Sequence, residues 1–119
     1  MPDLMNQHSE VLLVLTNCPD SETATLLRRE LVRARLAACV NQLGAVQSTY
    51  RWQGAIEEAS EVALLIKTTR DRYPALEAEL RRLHPYSVPE ILAIPVVAGS
   101  AAYLQWLEEQ VGDVLPKPA

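Results

Sequence analysis

The stretch from Val46 to Thr69, VQSTYRWQGAIEEASEVALLIKTT, restricts the fold more than any other part of the chain. Val46, Ser48, Tyr50 and Trp52 alternate with Gln47, Thr49, Arg51 and Gln53, and a period of two belongs to a strand with unlike faces. Gln53-Gly54 interrupts the pattern, and Gly54 can take the positive φ that a tight hairpin turn requires. The return limb starts polar, with Glu57, Glu58 and Glu61, then becomes solidly apolar from Val62 to Ile66. A strand apolar on both faces belongs inside a covered sheet or at a subunit contact. The outgoing limb, aromatic on one side and polar on the other, is expected at an edge. No Lys or Pro lies between Val46 and Gln53 to blunt that edge, so the hairpin is expected to reach for another chain through Val46, Ser48, Tyr50 and Trp52.

Around this hairpin the chain punctuates itself into short elements. Val11 to Thr16 is a continuous apolar strand, and Asp20 is placed to cap the helix after it. Ala24, Leu27, Leu31 and Ala34 form that helix's apolar stripe, while Arg28, Arg29, Arg33 and Arg35 read as its solvated face. Leu36 to Val40 returns the chain to the sheet, and Gly44 marks a bulge or bend. Beyond the hairpin, Asp71 is expected to cap a second helix with Pro74 in its first turn and Tyr73, Leu76, Leu80 and Leu83 as its stripe. His84-Pro85 ends it. Ile91 to Val97 is the next strand, and Pro95 inside it predicts an edge, because proline donates nothing to a ladder. Gly99-Ser100 opens a last helix with Tyr103, Leu104, Trp106, Leu107 and Val111 as packing residues and Gly112 as its stop. Residues 1–10 read as a frayed lead-in, 11–112 as one domain and 113–119 as a tail.

The order strand, helix, strand, strand, helix, strand, helix predicts an α+β, ferredoxin-like (split β-α-β) sandwich with an extended β-hairpin and a short C-terminal helix. Its first and third strands are expected at the centre, its second and fourth outside. The apolar pair falls inside and the polar-faced and proline-bearing strands fall at the edges, as that topology demands. The 119 residues suffice for one domain, and with no Phe the core is aliphatic. A net charge of -4 argues against a nucleic-acid or anionic-membrane surface. The longest apolar runs are far too short for a bilayer, and the first ten residues lack the basic start and apolar core of a secretory signal. Two cysteines, Cys18 and Cys39, make no disulfide framework, so a reducing cytoplasm is the expected compartment.

Five motifs then occur in one order: Leu36-Ala37-Ala38-Cys39-Val40-Asn41; Ser48-x-Tyr50-x-Trp52-x-Gly54 followed by Ile56-Glu57; Ile66-Lys67-Thr68; His84-Pro85-Tyr86-x-x-Pro89-Glu90-Ile91; and Tyr103-Leu104-x-Trp106-Leu107. Together they resemble the CutA family of divalent-cation tolerance proteins from about Val11 to Val111. The resemblance implies a cytoplasmic homotrimer, similar in architecture to nitrogen-regulatory signalling proteins of the PII type, with a link to copper and other divalent cations. Cys18 departs from the family's usual apolar or small residue in that turn, so no metal role for it is inherited.

The residues themselves offer a short list of chemistry. Cys39 is a soft donor that could hold copper with a second Cys, a His or a carboxylate nearby, although Ala37, Ala38 and Val40 point to burial as plain core. Cys18, at a strand end near a helix N-terminus, is expected to be exposed and the more reactive thiol. His84 is the one histidine of the folded region, since His8 lies in the lead-in, and it starts the proline-held loop HPYSVPE. That loop is expected to gather His84, Tyr86 and Glu90 at a pocket mouth; a histidine that merely ends a helix is the plain alternative. Lys67 either snorkels at a sheet edge or meets a carboxylate, with Glu90 the best candidate; with Tyr86 it would line a ligand cleft. Tyr50 and Trp52 read as interface anchors, with a ligand groove as the alternative. Glu57, Glu58 and Glu61 could gather hard cations or be a solvated face. No Cys/His pair has structural-zinc spacing and no nucleophile–base–orienter set can be assembled, so a binding protein is expected, not an enzyme. The reading is a homotrimer that binds copper or another divalent cation weakly; the alternative is a PII-like signalling or scaffold module, with a protein partner or small ligand, in which metal is incidental.

Overall fold

The computed structural model describes residues 10–112. The lead-in through Ser9, His8 included, and the tail 113–119 lie outside the described residues. The elements run β1 (Val11–Cys18), α1 (Ser21–Arg33), β2 (Cys39–Trp52), β3 (Ala55–Thr69), α2 (Tyr73–Leu83), β4 (Leu92–Pro95) and α3 (Ala101–Val111). All pairings are antiparallel, in the order β2-β3-β1-β4. The two apolar strands are therefore central, and the polar-faced strand and the proline-bearing strand are at the edges, as expected. Pro95 stands opposite Leu12 on the outermost strand, where its missing donor costs no ladder bond.

Strand parity decides what each face of the sheet does. Val14 and Cys18 of β1 and Leu64 and Ile66 of β3 point to one side and are fully buried. They pack with Ala24, Leu27 and Leu31 of α1 and Leu76 and Leu80 of α2 in the main core. The opposite face is only partly covered. There α3 lays Leu107 and Val111 on Val11 and Ala38 in a second, smaller cluster.

The local devices follow from the sequence with some exceptions. Asp20 caps α1, its side chain accepting from the Thr23 N–H at 2.8 Å. Arg35 does not lie on the helix face. It sits beyond the C-cap at φ 59°, where Arg35 donates to Val32 O and Leu36 to Leu31 O in the paired pattern that closes a helix on a left-handed residue. Its guanidinium reaches Glu109 O of α3 at 2.7 Å. At α2 the N-cap is Arg72 rather than Asp71, with no side-chain cap; Pro74 in the first turn needs no donor there. Ser100 caps α3, but Tyr103 and Trp106 are each 42% exposed, so its packing falls to Leu104, Leu107 and Val111. Just before β1, Glu10 is tied to the end of β3: the Arg70 N–H donates to Glu10 O at 2.8 Å and the Arg70 guanidinium pairs with its carboxylate.

The long hairpin stretches the molecule to 54 × 35 × 22 Å. Gln53 (φ 50°) and Gly54 (φ 82°) both take left-handed conformations, as the commonest two-residue hairpin turn requires. Gly44, at φ 97°, sits at a register shift after Gln42, which is the expected bulge. No helix among the described residues is long and apolar enough to cross a membrane.

Candidate functional site

A cleft of about 550 Å³ opens where the hairpin leaves the body of the sheet. Asn17 at the end of β1, Ser48, Thr49, Tyr50 and Trp52 of β2, and Glu61 of β3 form one wall; Tyr86, Ser87, Val88 and Glu90 of the loop after α2 form the other. Pairing explains the grouping. Asn17 stands opposite Ala63, Val46 opposite Glu61, Ser48 opposite Ala59 and Tyr50 opposite Glu57. With period two along each strand, these residues share the face away from α1 and α2.

The loop is held against this wall by hydrogen bonds. Tyr86 Oη donates to Glu61 Oε2 at 2.9 Å, and Asn17 Nδ2 approaches Glu90 Oε1 at 3.4 Å. The Tyr86 N–H donates to His84 Nδ1 at 3.2 Å, so Nδ1 carries the lone pair and Nε2 carries the proton, which it gives to Asn17 O at 2.8 Å. His84 is 6% exposed, and its ring lies 4.8 Å from that of Tyr86. Both ring nitrogens are thus occupied, and the imidazole works as a clamp between the loop and β1. The loop does bring His84, Tyr86 and Glu90 to one place, with the histidine behind the cleft rather than in it.

The thiols and the lysine are placed differently from expectation. β1 runs two residues longer than expected, so Cys18 pairs with Val62 inside the sheet and is fully buried. Burial pushes its thiol up to about 11, and the charges of Asp20 and Glu61 add to the effect. It is the protected thiol, not the reactive one. Cys39 is the half-buried one, with Sγ 3.9 Å from Asn41 Oδ1. It stands opposite Lys67, which in turn stands opposite Leu13. That is four residues of β1 from Asn17, or about 13 Å at the usual rise per residue. Lys67 therefore meets Tyr103, with Nζ 3.3 Å from its hydroxyl and 5.6 Å from its ring centroid, and not Glu90. Cys18, Cys39, His84 and Glu90 do not converge, and no group of three or more His, Cys, Asp or Glu able to hold an ion occurs among the described residues. Within one protomer these residues do not fit a copper centre.

In the sequence Glu61 is one of three hairpin glutamates with nothing to single it out. Glu57 and Glu58 are exposed, but Glu61 is 9% exposed and lies in the cleft. Parity separates Glu61 from Glu58 but not from Glu57: Glu61 shares its face with Glu57, Ala63, Leu65 and Lys67, opposite the sealed Leu64 and Ile66. Burial, then the hydrogen bond to Glu61, pushes the Tyr86 phenol up to about 12.

A four-stranded antiparallel sheet with α1 and α2 on one face and its connections in this order places the molecule among the ferredoxin-like α+β sandwiches. Residues 12–110 match the family model described as CutA1 divalent ion tolerance protein, and the chain belongs to that family. The divalent-cation tolerance protein CutA of Thermus thermophilus is 46% identical over 100 residues, covering 84% of this chain and 97% of that protein. Protein CutA of Homo sapiens is 43% identical over 99 residues, 83% of this chain but 55% of that protein, so the chain spans about half of the human relative's length. The crystal structure of CutA from Xylella fastidiosa superposes with a TM-score of 0.85 at 45% identity, covering 87% of this chain and 100% of that one.

Proposed function

We propose that this chain serves divalent-cation tolerance as a cytoplasmic homotrimer, binding copper or another divalent ion weakly at sites that only assembly completes. The observation that carries the reading is the sheet's two open edges. β2 offers a fourteen-residue outer edge with Tyr50 and Trp52 exposed, and β4 offers a four-residue edge with Leu92 and Ile94 exposed. Edges on opposite sides of one sheet pair head to tail, and head-to-tail contacts close into a ring when the rotation allows. The scatter of Cys39, His84 and Glu90 within a protomer supports placing any shared ion between subunits. Light scattering at micromolar concentration tests assembly: a trimer is expected, a monomer overturns it, and Ser48→Pro should weaken it. Competitive titration against a chelator of known affinity tests the metal. Copper retained equally by Cys39→Ser, His84→Ala and Glu90→Gln would remove these residues from the reading.

One observation favours the alternative, a PII-like trimeric module with a small ligand or protein partner and incidental metal. The cleft has Tyr50, Trp52 and Tyr86 in its walls, and aromatic faces suit an organic ligand better than a bare ion.

A further inference from the structure

Four aromatic side chains among the described residues are 42–46% exposed, and they fall into two pairs at opposite ends of the open face. Tyr50 and Trp52 line the cleft with Glu61 and Glu90, and no basic side chain joins them there. Tyr103 and Trp106 stand on α3, their ring centroids 5.5 Å apart, with the Lys67 ammonium 5.6 Å from the tyrosine ring. One end therefore offers rings with carboxylates, the other rings with a cation. The two ends cannot meet within a protomer. α3 rests on Val11, whereas the cleft begins at Asn17, six residues further along β1, or about 20 Å.

α3 buries one side only. Leu104, Leu107 and Val111 face its own protomer, which leaves the Tyr103 and Trp106 rings uncovered. Exposed tyrosine and tryptophan beside polar groups are the side chains that anchor subunit contacts. Chain connectivity says which surface they reach. Tyr50 and Trp52 belong to the free edge of β2, and α3 follows β4 after a short connection, residues 96–100. A β2 edge joined to a neighbour's β4 thus brings that neighbour's α3 to the cleft. The cleft, at about 550 Å³, is of a size that takes whole rings. We propose that a second copy of this chain occupies it: Tyr103 and Trp106 of one copy close against Tyr50 and Trp52 of the next, and Lys67 comes with them towards Glu61 and Glu90. Ring-on-ring contact carries the affinity. The charges set the register, because a rim charge steers association and excludes wrong pairings more than it binds. The contact joins unlike ends of one face, so it repeats from copy to copy until the ring closes. The inference rests on the homotrimer reading above and names the element of the neighbour that completes the site.

The test is cross-linking of the full chain between copies. Cys39→Ser removes the half-buried thiol and Cys18 is sealed, so Ser87→Cys in the cleft loop and Ala102→Cys on α3, both exposed positions, supply the reactive pair. A short bis-maleimide is expected to give a covalent trimer only when both cysteines are present. Trp106→Ala should weaken assembly about tenfold or more, read by light scattering on dilution. Lys67→Glu should weaken it through repulsion by the cleft carboxylates, and adding Glu90→Lys should restore it. A trimer that yields no covalent product, or that either cysteine cross-links alone, overturns this assignment and leaves the homotrimer standing. Unchanged assembly in both Trp106→Ala and Lys67→Glu does the same. A monomer overturns both readings.

Discussion

Leu64 and Ile66 on one face of β3 are fully buried under α1 and α2, while Glu61, Ala63, Leu65 and Lys67 on the other hold the strand's charges and only part of its burial. The two charged residues stand at opposite ends of that second face, each against a tyrosine hydroxyl. Lys67 stays half-exposed beside Tyr103, so water still solvates its ammonium. Glu61 is closed in by Tyr86 and opens only onto the cleft. One face is built for stability, and the other keeps unspent polar and aromatic groups for contact. That division teaches where to look for function in this fold.

The largest expected effect lies on the sealed face. Leu64→Ala should cost about 2–5 kcal/mol by denaturant unfolding, because a fully buried leucine leaves a cavity. If the faces are separate, the same variant keeps its assembly state in light scattering; a monomer would break the comparison. Next comes the hairpin tip. A Cβ at Gly54 meets nothing within 4 Å, so Gly54→Val should cost only the backbone strain of φ +82°, about 1–3 kcal/mol. An unchanged melting temperature would mean that the tip contributes nothing to folding.

A pH series sharpens the contrast further. The Cys18 thiol stands at about 11 against a usual 9.0, and the Tyr73 and Tyr86 phenols at about 12 against 10.0. The folded chain keeps these protons where the unfolded chain has lost them. The stability these three groups contribute is therefore complete below pH 9.0 and is lost as pH rises through about 11 and 12. Cys18→Ala should delay the onset of that fall to near pH 10.0, where the phenols take over. An unaltered pH profile would refute the assignment to Cys18. The smallest effect belongs to Lys67→Met, expected within about 1 kcal/mol of wild type because a half-exposed cation with a neutral partner adds little. A larger loss would show that the two charged ends of the open face are not as different as their surroundings suggest.

Much of the architecture was legible in the chain itself. Period two from Val46 to Trp52, the Gln53-Gly54 break and the apolar run Val62 to Ile66 determine the hairpin, because alternation and turn chemistry are local properties. Uniformly apolar strands had to be central and Pro95 had to be outermost, since burial on both faces and a missing donor each admit one place in a sheet. The five family motifs lie in the same local record. Tertiary structure alone decided the site. Which carboxylate is buried depends on strand register and on how the loop after α2 folds back, so Glu61 became a cleft residue and Glu57 and Glu58 did not. Two further pairings of β1 with β3 enclosed Cys18, and the four-residue offset between Lys67 and Asn17 separated Lys67 from Glu90. Local sequence carries periodicity and caps; it does not carry the distance between residues brought together by pairing, and that distance sets burial, charge and chemistry.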